Sequence, residues 1–136
     1  MKNILIASMI AISSQAAIAE ESFCDRLLFG GWSYHYDRSK GYNENHQIVG
    51  IQCKNVSVMR FKNSGGNTSI GVGYEYMPFD YKGFEFGGYG GLWTGYKKWP
   101  IAKPVAGARV RYNAGPAAIV TTIGPDVTAI HLEFKF

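Results

Sequence analysis

Three histidines and one glycine-flanked serine are the residues of this chain best suited to bond-making chemistry. His35, His46 and His131 can each take or give a proton near neutral pH. Ser64 stands in the run Phe61-Lys62-Asn63-Ser64-Gly65-Gly66-Asn67, where two glycines let the backbone approach a bound group closely. A serine beside a histidine, with loop N–H groups at hand, is the minimum for ester hydrolysis or acyl transfer. Asn, Ser and Gly are also ordinary turn residues, so the same run reads as a plain loop too. No second histidine and carboxylate stand at ligand spacing, so no metal site is expected, and nothing calls for a cofactor. Cys24 and Cys53 either tie the N-terminal segment to an early strand or remain two thiols, since sequence gives no Cα separation.

These residues would be positioned by strands. The chain closes on Val127-Thr128-Ala129-Ile130-His131-Leu132-Glu133-Phe134-Lys135-Phe136, in which Ile130, Leu132, Phe134 and Phe136 alternate with His131, Glu133 and Lys135. Successive strand residues point to opposite faces, giving one apolar and one polar face. Further alternating or Gly-rich runs predict strands near Leu27–Tyr36, His46–Lys54, Val56–Phe61, Ser69–Tyr76, Gly83–Tyr96, Val105–Tyr112 and Ala117–Ile123. Eight is the smallest usual membrane barrel, and an even number puts both termini on one side. An ending on an aromatic residue resembles the closing strand of bacterial outer-membrane barrels, which the barrel assembly machinery recognises. The expected fold is all-β, an eight-stranded antiparallel up-and-down transmembrane β-barrel.

At the N-terminus, Lys2, the apolar run Ile4 to Ile12 and Ala17-Ile18-Ala19 read as a signal peptide over residues 1–19. That leaves Glu20–Phe136 as one barrel domain. The apolar run is too short to span a bilayer as a helix. The formal net charge of +4 is spread out, with no basic run longer than Lys97-Lys98, which argues against a nucleic-acid face. Aromatics at 15% suit a membrane–water interface, where Tyr and Trp rings carry a polar tip.

Strand parity sorts the loops and faces. Asp37–Asn45, Lys62–Thr68, Lys97–Pro104 and Gly124–Asp126 are expected outside, with turns at Asn55, Met77–Lys82 and Asn113–Pro116 on the periplasmic side. Trp32, Tyr34, Tyr36, Ile70, Val72, Tyr74 and Tyr76 should face lipid. Ser33, His35, Glu75, Arg109, Arg111, His131, Glu133 and Lys135 should face the lumen. Inward Arg and Glu side chains would neutralise one another, since unpaired buried charge is costly. Inward Gly31, Gly50, Gly71, Gly73 and Gly107 either relieve curvature or leave a slot for a slender ligand.

Two loops carry a resemblance. Tyr36-Asp37-Arg38-Ser39-Lys40 followed by Tyr42-Asn43-Glu44, then Phe61-Lys62-Asn63-Ser64, is similar to the outer loops of the lipid A palmitoyltransferase (PagP) family. The Pro100 and Pro104 segment, the Gly115-Pro116 turn and the closing Phe134-Lys135-Phe136 also resemble that family. The resemblance implies a monomeric outer-membrane barrel that holds an acyl chain and transfers it from a phospholipid to lipid A of lipopolysaccharide. It implies a His, an Asp and a Ser at the outer rim. Ser64 matches directly, Asn63 stands at the Asp position, and an ungapped match puts the family's His at Gly31. His35, four residues on and on the same face, is the candidate base. Ser64 takes the oxyanion or nucleophile role, and Asn63 an orienting one. The family's long N-terminal amphipathic helix has no counterpart. The alternative is a non-enzymatic barrel that modifies the surface or excludes phage through its outer loops; a third reading is a secreted soluble β-domain.

Overall fold

The computed structural model describes residues 22–136; the signal peptide expected over residues 1–19 lies outside them. Alternation of apolar and polar residues builds eight strands: β1 Cys24–His35, β2 Asn45–Cys53, β3 Val56–Lys62, β4 Thr68–Tyr81, β5 Phe84–Trp93, β6 Lys103–Ala114, β7 Ala117–Ile123 and β8 Val127–Lys135. Each pairs antiparallel with its sequence neighbours, and β1 pairs with β8, so the sheet closes into an up-and-down barrel. Closure leaves no sheet edge along the paired length. Both ends of the described chain lie at one end of the barrel, where the Phe136 N–H donates to the Asp25 carbonyl.

One expected turn is corrected. Of the turn expected over Met77–Lys82, only Lys82 belongs to the reversal: β4 continues to Tyr81, and its register shifts between Tyr76 and Phe79 in a bulge. The reversal is made by Lys82 and Gly83, both at positive φ (48° and 87°), the conformation two-residue hairpins require. Met77-Pro78 breaks the alternation locally, as a bulge does. At the other end the strand expected over Gly83–Tyr96 stops at Trp93, and β6 starts earlier than expected, at Lys103.

The outward face is a band of large apolar side chains. Trp32, Tyr34, Val49, Val58, Ile70, Val72, Tyr74, Tyr76, Leu92 and Ile119 are all exposed there. A water-soluble domain rarely leaves so much contiguous apolar surface bare. Inside, the half of the barrel nearer the termini is filled by charge. Arg111 spans Glu75 (2.6 Å), Glu133 (2.8 Å) and Glu85 (3.4 Å), while Arg109 reaches Glu75 and Arg26 reaches Glu133, each at 3.1 Å. Three guanidinium groups thus meet three carboxylates, and the interior charge cancels. Lys135 lies at the exposed margin of the same inward row.

Cys24 and Cys53 face one another across β1 and β2 and form a disulfide. It fastens the start of β1 at the end where the chain termini lie. Inward Gly31, Gly71 and Gly73 admit neighbouring side chains, whereas Gly50 and Gly107 lie close against the backbone of the next strand. A Cβ on Gly73 would fall 2.1 Å from the Tyr89 hydroxyl, so the Tyr89 ring lies flat across β4.

Candidate functional site

A bulge in β1 decides what faces the lumen at the end opposite the termini. Arg26 and Leu28 point inward, but the register shifts between Gly30 and Trp32, and Gly30 and Gly31 take φ of 74° and 109°. One extra residue flips the parity of everything after it. Ser33 and His35 therefore turn inward, and Trp32, Tyr34 and Tyr36 turn out.

His35 ends β1, and its Nε2 lies 2.9 Å from the Ser64 Oγ. The Tyr42 ring packs over the imidazole at 4.3 Å between centroids. Among the described residues, Nδ1 of His35 meets no hydrogen-bond partner. Ser64 is held in reach by the first loop: the Asn43 N–H donates to the Ser64 carbonyl at 2.8 Å, and the Asn43 side chain donates to the Asn63 carbonyl at 3.1 Å. Arg38 pairs with Glu44 at 2.8 Å and lies 4.8 Å over the Tyr34 ring, which orders the same loop. The run Tyr42-Asn43-Glu44 thus covers the histidine, pins the serine and closes the loop.

Asn63 is almost wholly buried, and both ends of its amide are taken. Nδ2 donates to Ser69 Oγ and to the Gly95 carbonyl, each at 2.9 Å, and Oδ1 accepts from the N–H groups of Gly65 (2.9 Å) and Asn67 (3.1 Å). Four bonds are the full capacity of an amide side chain. Asn63 therefore shapes the loop that carries Ser64 and does not contact His35. Changing Asn63→Asp removes both donors and sets a carboxylate oxygen against the Gly95 carbonyl. The expected cost is about 1–3 kcal/mol, read from the urea midpoint, with no gain in any activity; a more active variant would show that the carboxylate belongs here.

Below the rim lies a cavity of about 380 Å³. That falls within the roughly 300–1,000 Å³ of small-molecule sites. Leu28, Ile48, Met59, Phe61, Trp93 and Val105 give it apolar walls, Ser64 and Asp126 stand at its mouth, and Arg109 and His131 lie on its floor. The wall is incompletely bonded on one side. The β6–β7 ladder starts at Ala108 and Ile123, so Lys103 to Gly107 pair with β5 alone. Pro104 and Pro125 line this stretch; a proline has no N–H to give to a ladder.

Two groups at the mouth were not legible as site residues. The Tyr96 phenol, from the loop between β5 and β6, is pushed up to about 12, first by burial and then by the charge of Asp126, with the nearby Ser64 opposing. It stays protonated at neutral pH and can serve as a donor. Asp126 sits in the β7–β8 turn, and its carbonyl accepts from the Tyr36 N–H at 3.1 Å, which places it beside the end of β1. Neither carries a local motif; β4–β5 pairing sets the loop of Tyr96 beside Asn63, whose Nδ2 reaches the Gly95 carbonyl, while Asp126 comes to the same mouth from the β7–β8 turn.

His46 makes a second histidine–serine pair. Its Nε2 lies 2.6 Å from Ser33 Oγ, and its Nδ1 lies 2.7 Å from the Lys62 carbonyl oxygen.

Fold and site together define an eight-stranded antiparallel barrel, plugged by ion pairs at the terminal end, with an apolar cavity and two Ser–His pairs at the other. No protein-family model and no curated protein matches the chain.

Proposed function

We propose that this protein is an outer-membrane barrel that takes a lipid acyl chain into its cavity and transfers or hydrolyses its ester at the rim. A phospholipid is the acyl donor and lipid A the acceptor. The observation that carries this reading is the 2.9 Å contact of His35 with Ser64 at the mouth of a cavity walled by apolar side chains. An acyl chain in that cavity brings its ester to the mouth, where charge develops as the carbonyl is attacked. His35 Nε2 is the base that removes a proton from the attacking hydroxyl. The Ser64 and Tyr96 hydroxyls are candidate donors to a developing oxyanion at the rim. Membrane placement is supported by the apolar outward band with its Tyr and Trp residues, which suit lipid tails and interfaces.

A non-enzymatic surface role has one observation of its own. Trp99 and Ile101 are exposed in the β5–β6 loop, Ile101 at 85%. Lipid A extracted from expressing cells separates the two readings. The enzyme changes its mass by one fatty acyl chain, and Ser64→Ala abolishes the change while the barrel still folds. A folded barrel with an unaltered lipid A profile would leave the surface role.

A further inference from the structure

The two Ser–His pairs are not equivalent. In the rim pair, His35 touches Ser64 through Nε2, and no protein group among the described residues fixes its other nitrogen. In the second pair, both ring nitrogens of His46 are engaged at 2.6 and 2.7 Å. A carbonyl oxygen can only accept, so the proton of the neutral ring sits on Nδ1, facing Lys62. Nε2 is then bare, and the Ser33 hydroxyl must donate to it. That is the arrangement of an activated serine: hydroxyl, base, and a third group that orients the base.

Each member of this set is placed by a break in regular pairing. The β1 bulge turns Ser33 inward. The β2–β3 ladder runs only as far as Val49 and Arg60, so the Lys62 carbonyl lies beyond its last pair. Gly31 leaves the space: a Cβ there would lie 2.6 Å from Ile48 Cδ1 and 3.3 Å from His46 Cβ. His46 and Ile48 from β2 therefore occupy ground that a β1 side chain would otherwise take. Ser33 and His46 both line the cavity, whereas His35 does not. Ser33 and His35 are two residues apart on one face of β1, about 7 Å along the strand.

We propose that Ser33 is the nucleophile of this barrel, with His46 as its general base and the Lys62 carbonyl as the group that fixes the ring. The assignment rests on the acyl-ester reading above and names the residue that carries the acyl group. Ser33 Oγ gives its proton to His46 Nε2 and attacks the ester carbonyl carbon of a chain lying in the cavity. The ester C–O bond then breaks, the leaving alkoxide takes the proton from His46, and the acyl group is left as an ester on Ser33. Water, or a hydroxyl of a second lipid at the mouth, next gives its proton to His35 Nε2 and attacks the acyl-serine; the acyl C–O bond to Ser33 breaks, and the Ser33 alkoxide regains a proton from the His35 imidazolium through water. The His35–Ser64 pair sits at the mouth, where the second lipid arrives.

A hydrogen-bonded His46 could equally stitch β1, β2 and β3 together with no chemistry, and one substitution separates the two roles. His46→Gln can donate to the Lys62 carbonyl and accept from Ser33, so it keeps the stitch but cannot hold a proton. The experiment treats the folded barrel in detergent with hexadecyl fluorophosphonate, which forms a P–O bond to an activated serine and releases fluoride with the serine proton. Peptide mass mapping should find the adduct on Ser33. Labelling should fall by at least ~100-fold in His46→Gln, vanish in Ser33→Ala, and stay unchanged in Ser39→Ala on the first loop. An adduct on another serine, no adduct, or undiminished labelling of His46→Gln overturns the assignment. A parallel assay of phospholipid ester cleavage tells the two failures apart. Cleavage that survives Ser33→Ala sinks this assignment alone, whereas a labelled Ser33 with no lipid cleavage keeps the nucleophile and sinks the lipid reading.

Discussion

Arg111→Ala is expected to destabilise the folded barrel by about 3–5 kcal/mol, the cost of leaving buried charge without its partner. Arg111 is 2% exposed and forms the hub of the lumenal cluster, through Nη2 to Glu75 and Nε to Glu133. Glu133, itself 1% exposed, would keep Arg26 at 3.1 Å but lose its closest contact. Glu75 would keep Arg109 at 3.1 Å and lose the 2.6 Å bond. Two guanidinium groups would then face three carboxylates, of which Glu75 and Glu133 are almost wholly buried. Arg111→Lys should cost less, because it restores the charge but not the fork that serves two carboxylates at once. The check is the urea midpoint in lipid vesicles, followed by heat-modifiable migration. A loss below 1 kcal/mol for Arg111→Ala would show that water, not the ion cluster, fills the terminal half of the barrel.

His35→Ala is expected to lower the rate of acyl release by about 10²–10⁴-fold, the usual contribution of a positioned base. The ring closes no backbone hydrogen bond, and it sits at the last residue of β1, so little strand pairing depends on it. Its removal leaves Ser64 without its 2.9 Å partner and Tyr42 without the ring it covers. Ser64 itself stays in place, because Asn43 holds its backbone. The rate should therefore fall with the unfolding midpoint nearly unchanged, and a rate equal to that of the unaltered protein would remove His35 from the chemistry. Heat-modifiable migration of the variant separates a lost base from a lost fold.

Much of this architecture is legible in the sequence, because a period of two reports both strand and face. The closing run from Val127 to Phe136 shows it best: His131 and Glu133 are buried while Ile130 and Phe134 are exposed, as their alternation predicts. Inward Arg109 and Arg111 with inward Glu75 and Glu133 likewise predict the neutral cluster in the terminal half of the lumen. What alternation does not carry is irregularity. The Met77-Pro78 bulge looks like a turn because both a bulge and a turn interrupt the period. The true reversal, Lys82-Gly83, hides beside it.

The site is legible only where it follows from parity. Strand count places His35, Asn63 and Ser64 at one end, and the fold brings His35 and Ser64 into contact. Asn63 is an immediate neighbour of Ser64 in sequence, yet its side chain turns into the loop rather than toward His35. Ser33 and His46 lie 13 residues apart, and their 2.6 Å contact depends on the β1–β2 register, which the Gly30-Gly31 bulge sets. Tyr96 and Asp126 come from separate loops that pairing between distant parts of the chain, not local sequence, carries to the rim. The disulfide stands in the sequence as one of two alternatives, since sequence gives thiols but no separations, and the β1–β2 register decides for it.

The most direct test gives the purified, folded barrel a diacylphospholipid in mixed detergent micelles and follows lysophospholipid by mass spectrometry. The account expects lysophospholipid to accumulate, with the released chain appearing as a new ester on an added lipid A acceptor or as free fatty acid. A barrel that is heat-modifiable, and therefore folded, but leaves the phospholipid intact would contradict it.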